Sequence, residues 1–221
     1  MSNVTLETII ADPEIQSLVK IADNNLKEIG YTEHSERHLM VVSTRSRELL
    51  EDLGRDDRTQ ELVAIAAYLH DVGNVVNRLY HAISGAILVK PILGRLGMDF
   101  DEIHRIIAAI GNHHEGEGDP VSDISAALIL ADKSDVHVTR VRKSGDVVSD
   151  IHDRVNFAAK ESRLYVKNGG STIGVEILID PGVSTVMEYF QIFLERMKVC
   201  RVAAEYLEAK FELIINGVKL A

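Results

Sequence analysis

From the N-terminal region to about residue 155, apolar residues recur every three or four positions, which predicts a series of amphipathic helices. The first stretch runs from Glu7 to about Ile29 and is interrupted at Asp12-Pro13, so it predicts one or two short helices. A proline, Pro91, should kink or divide a later helix. The other predicted helices cover residues 34–53, 57–71, 84–96 and 99–111, and one more begins at Ser122.

After about residue 155 the apolar positions alternate, as they do in half-buried strands. The turn-forming sequence Asn168-Gly169-Gly170 separates the first two of these strands. Helical spacing then returns before a short alternating segment closes the pattern. The predicted elements are strands around 164–166 and 173–179, a helix over 183–209 and a final strand over 211–215.

Because the two patterns meet near residue 155, we predict a mainly α fold with two parts. The first is a helical domain over residues 1–155, and the second is a small C-terminal α+β segment over 156–221. The second part contains a hairpin, a long helix and a last strand. Strands in so small a layer leave open edges, so we expect this region to support a homodimer.

Composition narrows the function classes. The 221 residues include 24 Lys plus Arg against 34 Asp plus Glu, and the net charge of −10 argues against a dedicated nucleic-acid or anionic-membrane surface. A local patch could still bind phosphate. The single cysteine, Cys200, cannot form an internal disulfide, and neither a secretory signal nor an apolar run of about 18 residues is evident. We therefore expect a cytoplasmic protein.

The chain has 9 histidines and no tryptophan, and several histidines fall in suggestive places. His34 and His38 are four residues apart on a predicted helix, so both imidazoles can face one ion, although either alone would be uninformative. His70-Asp71 ends a helix eight residues beyond Leu62, near its buried side. A chance pair at a solvated helix end remains an alternative.

Asp132 lies on an apolar helical stripe, four residues after Leu128. An uncompensated carboxylate there would cost several kcal/mol. Either a cation held by ligands from other helices or an ion pair with Arg37 or Arg45 would explain this placement.

Three further histidines lie in predicted loops. His113-His114 follows a helix that stops at Gly111, and His81 lies in a short loop between two helices. All three could be simply exposed.

Taken together, these segments resemble the HD superfamily of metal-dependent phosphohydrolases, an all-helical fold defined by a histidine, a His-Asp doublet and a distant aspartate. The matching positions are His38, the doublet His70-Asp71 and Asp132, and the resemblance covers about residues 31–142. It implies an all-helical HD-domain core beneath the small C-terminal α+β layer.

A histidine-rich subset of the superfamily, which includes the HD-GYP phosphodiesterases, has additional ligands. The resemblance implies eight metal ligands in this chain: His34, His38, His70, Asp71, His81, His113, His114 and Asp132. Eight ligands imply two divalent transition-metal ions, or three, with Asp71 as the natural bridge. A set of six imidazoles and two carboxylates favours Mn, Fe, Co, Ni or Zn over Mg. The Gly-Tyr-Pro signature is absent after Glu115, so cyclic di-GMP is not carried over as the substrate.

Basic residues are concentrated within 133–143, where four of them accompany one acidic residue. Lys133 directly follows a predicted ligand, so it is our candidate for phosphate binding or leaving-group protonation. Arg140 is a second candidate, whereas Arg142 and Lys143 could equally form a solvated helix face. Downstream of the doublet, Asn74 and Arg78 could line the same cleft or simply form a turn.

The resulting hypothesis is a metal-dependent phosphohydrolase acting on a small phosphate ester or nucleotide, either a monoesterase or a diesterase. Two alternatives stay open: an HD-type di-iron oxygenase, and a non-catalytic metal-containing ligand sensor. The predicted catalytic residues are Asp71 and Lys133, and the predicted substrate-binding residues are Lys133, Arg140, Arg78 and Asn74.

Overall fold

A computed structural model describes residues 4–116, 118–142 and 151–221 of the chain. The predicted basic position Lys143 lies outside these residues. The described helices are α1 Leu6–Ala11, α2 Pro13–Glu28, α3 Glu36–Asp52, α4 Asp57–Leu69, α5 His81–Arg95, α6 Phe100–Gly111, α7 Asp123–Ser134, α8 Ile151–Ala158 and α9 Val186–Tyr206. Two 3-10 turns cover Val72–Val75 and Val138–Arg140. The predicted mainly α fold class is confirmed.

The interruption near the N-terminus falls where the sequence predicts it. Asp12 separates α1 from α2, and its carboxylate accepts hydrogen bonds from the backbone N–H groups of Glu14 and Ile15. The expected division at Pro91 is wrong, because α5 runs through it without a break. Val89 and Leu93 on either side of Pro91 are buried, and their packing stabilises the continuous helix despite the missing hydrogen bond.

Two helices form the centre of the molecule. Every residue of α4 from Leu62 to Leu69 is buried, as is every residue of α7 from Ile124 to Ala131. A helix that is apolar on all sides is enclosed by other elements rather than lying at the surface. The residues that directly follow these apolar stretches therefore lie in the interior, and they include His70, Asp71 and Asp132.

The C-terminal part forms a four-stranded sheet in the order β1-β2-β3-β4. Its strands are β1 Ala159–Lys167, β2 Thr172–Ile179, β3 Lys210–Ile215 and β4 Val218–Lys219. The first two pair antiparallel through the predicted turn, where Asn168 has a φ of 55°. The strand β3 pairs parallel with β2 after the crossover helix α9, and Val175 lies opposite Leu213.

The sheet and the helices are packed together. Helix α8 spans the predicted boundary at residue 155 and leads directly into β1. From α3, Arg45 donates hydrogen bonds to the backbone oxygens of Ser134 at 2.9 Å and Ser162 at 2.6 Å. The division into two domains stays a prediction. Within the described ranges, no helix combines the length and the apolar character that crossing a membrane requires.

Candidate metal centre

Six of the predicted ligands converge in the interior. They come from five places in the chain: the first turn of α3 (His38), the end of α4 (His70 and Asp71), the start of α5 (His81), the segment after α6 (His113) and the last turn of α7 (Asp132). They form three overlapping groups that could hold a metal ion: His38 with His70 and Asp71, His70 with His113 and Asp132, and Asp71 with His81 and His113. Because α4 and α7 are enclosed, the two carboxylates enter this cluster from buried helix ends.

The two carboxylates connect the histidines. One oxygen of Asp71, Oδ2, lies 3.2 Å from His70 Nε2 and 3.8 Å from His38 Nε2. Its other oxygen, Oδ1, lies 3.4 Å from His81 Nε2. Asp132 Oδ1 lies 3.3 Å from His38 Nε2 and 3.7 Å from His70 Nε2. Asp71 therefore faces different histidines with its two oxygens.

Backbone carbonyls determine the tautomer of four of the imidazoles. In each, Nδ1 lies within hydrogen-bond distance of a carbonyl oxygen, which can only accept, so Nδ1 carries the hydrogen. The Nε2 atom of each ring is then a lone-pair donor directed away from that carbonyl, the arrangement typical of metal-ligating histidines. The pairs are His34 with Thr32 at 2.7 Å, His70 with Ala67 at 2.6 Å, His81 with Arg78 at 3.0 Å and His113 with Ile110 at 2.7 Å.

The resulting lone pairs fit a bound cation. His81 Nε2 and His113 Nε2 lie 3.2 Å apart, although neither carries a hydrogen in this tautomer. Among the residues that the structure describes, the buried Nε2 of His70 has no hydrogen-bond donor. Facing lone pairs and an unpartnered buried nitrogen are unfavourable by themselves. A metal ion held by these atoms would satisfy them.

The electrostatics keep most of these groups in the forms that metals bind. Burial acts to raise the pKa of Asp71, but His70 and His34 hold that pKa well below its usual range. Burial lowers the pKa of His113 well below its usual range and that of His81 to about 4. Burial acts to lower the pKa of His70, but Asp71 and Asp132 together raise it above its usual value. Ionised carboxylates and neutral imidazoles are the ligand forms.

The remaining two predicted ligands lie at the edge of the cluster. His34 and His114 line the same cavity, with ring centroids 5.6 Å from His38 and 4.8 Å from His81, respectively. The alternative that His81 and His113 are exposed loop residues is wrong. His81 is the first residue of α5, and both side chains are buried because α5 and α6 pack against each other.

Lys133 is only 4% exposed and lies between two carboxylates. Its Nζ is 2.7 Å from Asp132 Oδ2 and 2.6 Å from Glu115 Oε2. The suggested arginine partners of Asp132 lie elsewhere, since Arg37 pairs with Asp135 and Arg45 contacts the sheet. Lys133 is therefore the basic residue that pairs with Asp132. The apolar spacing along the helix could not indicate this partner.

The predicted substrate-binding residues lie close to the cluster, in different roles. Asn74 donates to the backbone oxygen of Asp71 at 2.8 Å and to its Oδ1 at 3.0 Å, a position that orients this carboxylate. Arg78 and Arg140 line the cavity of the cluster. Arg142 instead pairs with Asp23 at 2.6 Å, so it joins two segments of the fold.

Three neighbouring residues were not found from the sequence. Glu115 pairs with Lys133, Asp135 Oδ2 lies 2.7 Å from His38 Nδ1, and Arg196 of α9 lines the cavity of the cluster. For Asp135, the one signal in the sequence was its position three residues after the predicted ligand Asp132. No feature of the sequence indicated Arg196, because it belongs to α9, which is far from the predicted ligands along the chain.

A family model matches the part of the chain that carries these residues. Residues 36–139 match the family model described as HD domain. The crystal structure of a predicted HD superfamily hydrolase from an uncultured Thermotogales bacterium is similar, with 24% identity, a TM-score of 0.45, and coverage of 59% of this chain and 73% of that one. No curated protein matches the chain. Residues 36–139, which carry the six converging ligands, are thus similar to the HD domain family.

Proposed function

We propose that this protein is a metal-dependent phosphohydrolase that acts on a small phosphate ester or nucleotide. The observation that carries this proposal is the arginine-lined wall beside a cluster of imidazole lone pairs and two carboxylates. Arg78 and Arg140 line the same small cavity as Asp71 and Asp132. Guanidinium groups are well suited to bind phosphate oxygens in pairs.

The ligand arrangement supports two divalent ions with Asp71 as the bridge. Its two oxygens face different histidines, and the three candidate groups overlap. His34 and His114 would complete the set from the edge. Imidazole-rich ligand sets favour Mn, Fe, Co, Ni or Zn. Such ions, when bound, provide a nucleophilic water at neutral pH and neutralise phosphoryl oxygens.

The chain's own residues would prepare the site for this chemistry. Asn74 holds Asp71 in place through two hydrogen bonds. Lys133 donates to Asp132 and Glu115, which leaves one of its three N–H donors for a substrate oxygen. We therefore assign Lys133 a charge-neutralising, phosphate-binding role and Asp71 the role of catalytic ligand.

Elemental analysis of the purified protein, paired with a phosphate-ester screen in Mn, Co, Ni and Fe, tests the proposal. We expect bound transition metal and release of phosphate from at least one ester. Oxygen consumption by the iron-loaded protein, with no phosphate released under any of the four metals, would contradict the proposal and favour the di-iron oxygenase. Metal binding without any turnover would favour the ligand sensor.

A further inference from the structure

A second cavity adjoins the metal cluster and has a volume of about 290 Å³. It shares four lining residues with the cluster: His34, Arg78, Arg140 and Arg196. This volume is near the lower limit of small-molecule sites, which hold about 300–1,000 Å³. A substrate bound at the cluster therefore has room beside it for one small organic group.

Part of the lining of this cavity comes from outside the matched segment. Asn156 of α8 and both Phe193 and Arg196 of α9 line it, and all three follow the last matched residue, 139. Tyr31, which also lines the cavity, follows α2 and precedes the matched segment. Part of the second cavity is thus lined by residues outside the matched segment 36–139.

Neighbouring groups hold the guanidinium of Arg196 in position but occupy only part of its hydrogen-bonding capacity. It lies over the ring of Phe193, 4.5 Å from the centroid, and its Nε is 3.2 Å from Glu115 Oε1. Within the described part of the chain, its two terminal nitrogens have no hydrogen-bond partner. A fixed fork with free donors is the geometry that binds two oxygens of one phosphate.

Arg78 and Arg140 are also held in position by neighbouring groups. Arg78 lies over the ring of Tyr31 at 5.3 Å, with Nη1 3.4 Å from His81 Nε2. Arg140 is buried, with Nη1 3.4 Å from Asp135 Oδ2. Three guanidinium groups therefore line both the cavity of the cluster and the second cavity. Each of them lies within 4.0 Å of a carboxylate that holds it in position, Asp71 for Arg78, Asp135 for Arg140 and Glu115 for Arg196. Several positioned guanidinium groups can bind more than one oxygen of a terminal phosphate.

We propose that the substrate is a phosphate monoester with a small organic group, and that Arg196 selects its terminal phosphate. This inference rests on the proposed phosphohydrolase function. A monoester carries a charge of about −1.5 to −2 at pH 7, whereas a diester carries one negative charge. The second cavity holds the organic group, which is limited to about the size of one nucleoside or sugar.

The test compares the wild type with Arg196→Gln and Arg196→Lys. Titration calorimetry measures binding of inorganic phosphate, and kinetics compare p-nitrophenyl phosphate with bis(p-nitrophenyl) phosphate. We expect the Gln variant to bind phosphate about tenfold more weakly or worse and to show a similar rise in KM for the monoester. The Lys variant keeps the charge and should recover part of this loss. Metal content should not change.

Arg201→Gln is the matched control, because it removes the same charge from the same helix at a side chain that is 64% exposed. It should leave phosphate affinity and KM unchanged. Wild-type phosphate affinity in Arg196→Gln, or a wild-type enzyme with higher kcat/KM for the diester, would overturn the inference. If the Gln variant does not fold, phosphate affinity of the Lys variant equal to that of the wild type would overturn it.

Failure of the proposed function gives a different result. If the wild type hydrolyses neither ester with any metal but binds phosphate, and Arg196→Gln weakens that binding, the anion site stands while the phosphohydrolase activity does not. If phosphate binding is also unaffected by Arg196→Gln, the inference fails independently of the activity.

Discussion

At Asp71, one side chain faces three histidines, with different oxygens directed at His81 and at His70. The variant Asp71→Asn keeps the shape of the side chain but loses its charge and one acceptor oxygen. We expect loss of bound metal and of hydrolytic activity, measured by elemental analysis after dialysis and by phosphate release. Asp52→Asn, at an exposed position near the end of α3, is the control. Full metal content in Asp71→Asn would refute the assignment of the bridge.

Asp135 acts on the cluster through His38, because its Oδ2 lies 2.7 Å from His38 Nδ1. Burial acts to raise the pKa of Asp135, but the hydrogen bond with His38 and the charge of Arg140 hold it below its usual value. Residues that orient a metal-binding histidine contribute about 10- to 100-fold to metal affinity. We therefore expect Asp135→Asn to weaken metal binding about tenfold in a titration against a competing chelator.

The control for this prediction is Arg37→Gln, which removes another partner of Asp135 without touching His38. Metal affinity in this variant should stay within about twofold of the wild type, since an ion pair of a part-exposed arginine contributes little. Equal losses in both variants would show that the effect comes from stability and not from the orientation of His38.

Single residues also show what sequence reasoning can detect. Asp132 was detectable because a carboxylate on an apolar stripe is costly, and that cost can be read from spacing alone. Glu115 was not detectable, because it lies in the segment between α6 and α7, which has no periodicity, and its partner Lys133 lies near the end of α7. Local spacing identifies an unusual residue, but it does not identify the residue opposite.

Between α4 and α5, a 3-10 turn places Gly73 directly against the start of α5. A Cβ at this position would lie 1.9 Å from the backbone oxygen of His81 and 2.5 Å from the backbone nitrogen of Gly85. Because backbone atoms cannot move aside, we expect Gly73→Ala to lower the free energy of unfolding by more than about 2 kcal/mol. Displacement of His81 should also lower metal content.

Gly94→Ala is the matched control for this variant. Gly94 lies within α5, and a Cβ there would meet no heavy atom within 4 Å. Alanine is favoured over glycine in a helix by about 0.5–1 kcal/mol, so this variant should be slightly more stable. Denaturant unfolding measures both changes, and a Gly73→Ala variant as stable as Gly94→Ala would contradict the close-approach argument.

In the sheet, Glu212 of β3 is the partner of two lysines and a tyrosine. Hydrogen bonds from Lys167, Tyr165 and Lys219 lower the pKa of Glu212 from 4.5 to about 2. The folded state therefore binds this proton less readily than the unfolded chain. The stabilisation is present at neutral pH and is lost as the pH falls from about 4.5 to about 2.

We accordingly expect Glu212→Gln to lower the Tm at pH 7, with the difference from the wild type becoming smaller at pH 3. Thermal unfolding followed by circular dichroism measures both values. Glu161→Gln, an exposed position on β1, should show no such dependence. A difference between Glu212→Gln and the wild type that grows on acidification would contradict the sign of the pKa shift.

At the scale of the whole molecule, the edges of the four-stranded sheet bear on self-association. The order β1-β2-β3-β4 leaves β1 and the two-residue β4 as the outer strands. Outer strands carry unpaired backbone groups that can pair with another chain. We expect a homodimer through the C-terminal region, and light scattering at micromolar concentration should report twice the mass of 24.5 kDa. A monomer at this concentration would refute the prediction.

The chain itself determines most of the helices and the positions of the central motifs. Apolar periodicity and capping residues act within a few positions, so α3, α4, α6 and α7 could be predicted to within a few residues. The same local spacing singled out the doublet His70-Asp71 and the buried Asp132. The end of α9 and the short strand β4 were less well predicted, because strand pairing depends on distant partners.

Only the tertiary structure decides how these side chains meet. Packing of α9 against α7 places Arg196 beside residues that are far from it in sequence. Backbone carbonyls select which nitrogen is free in four of the histidines. Sequence spacing carries information about neighbours on one element, since these share a face. It carries little about contacts between elements, because those distances follow from how the whole core packs.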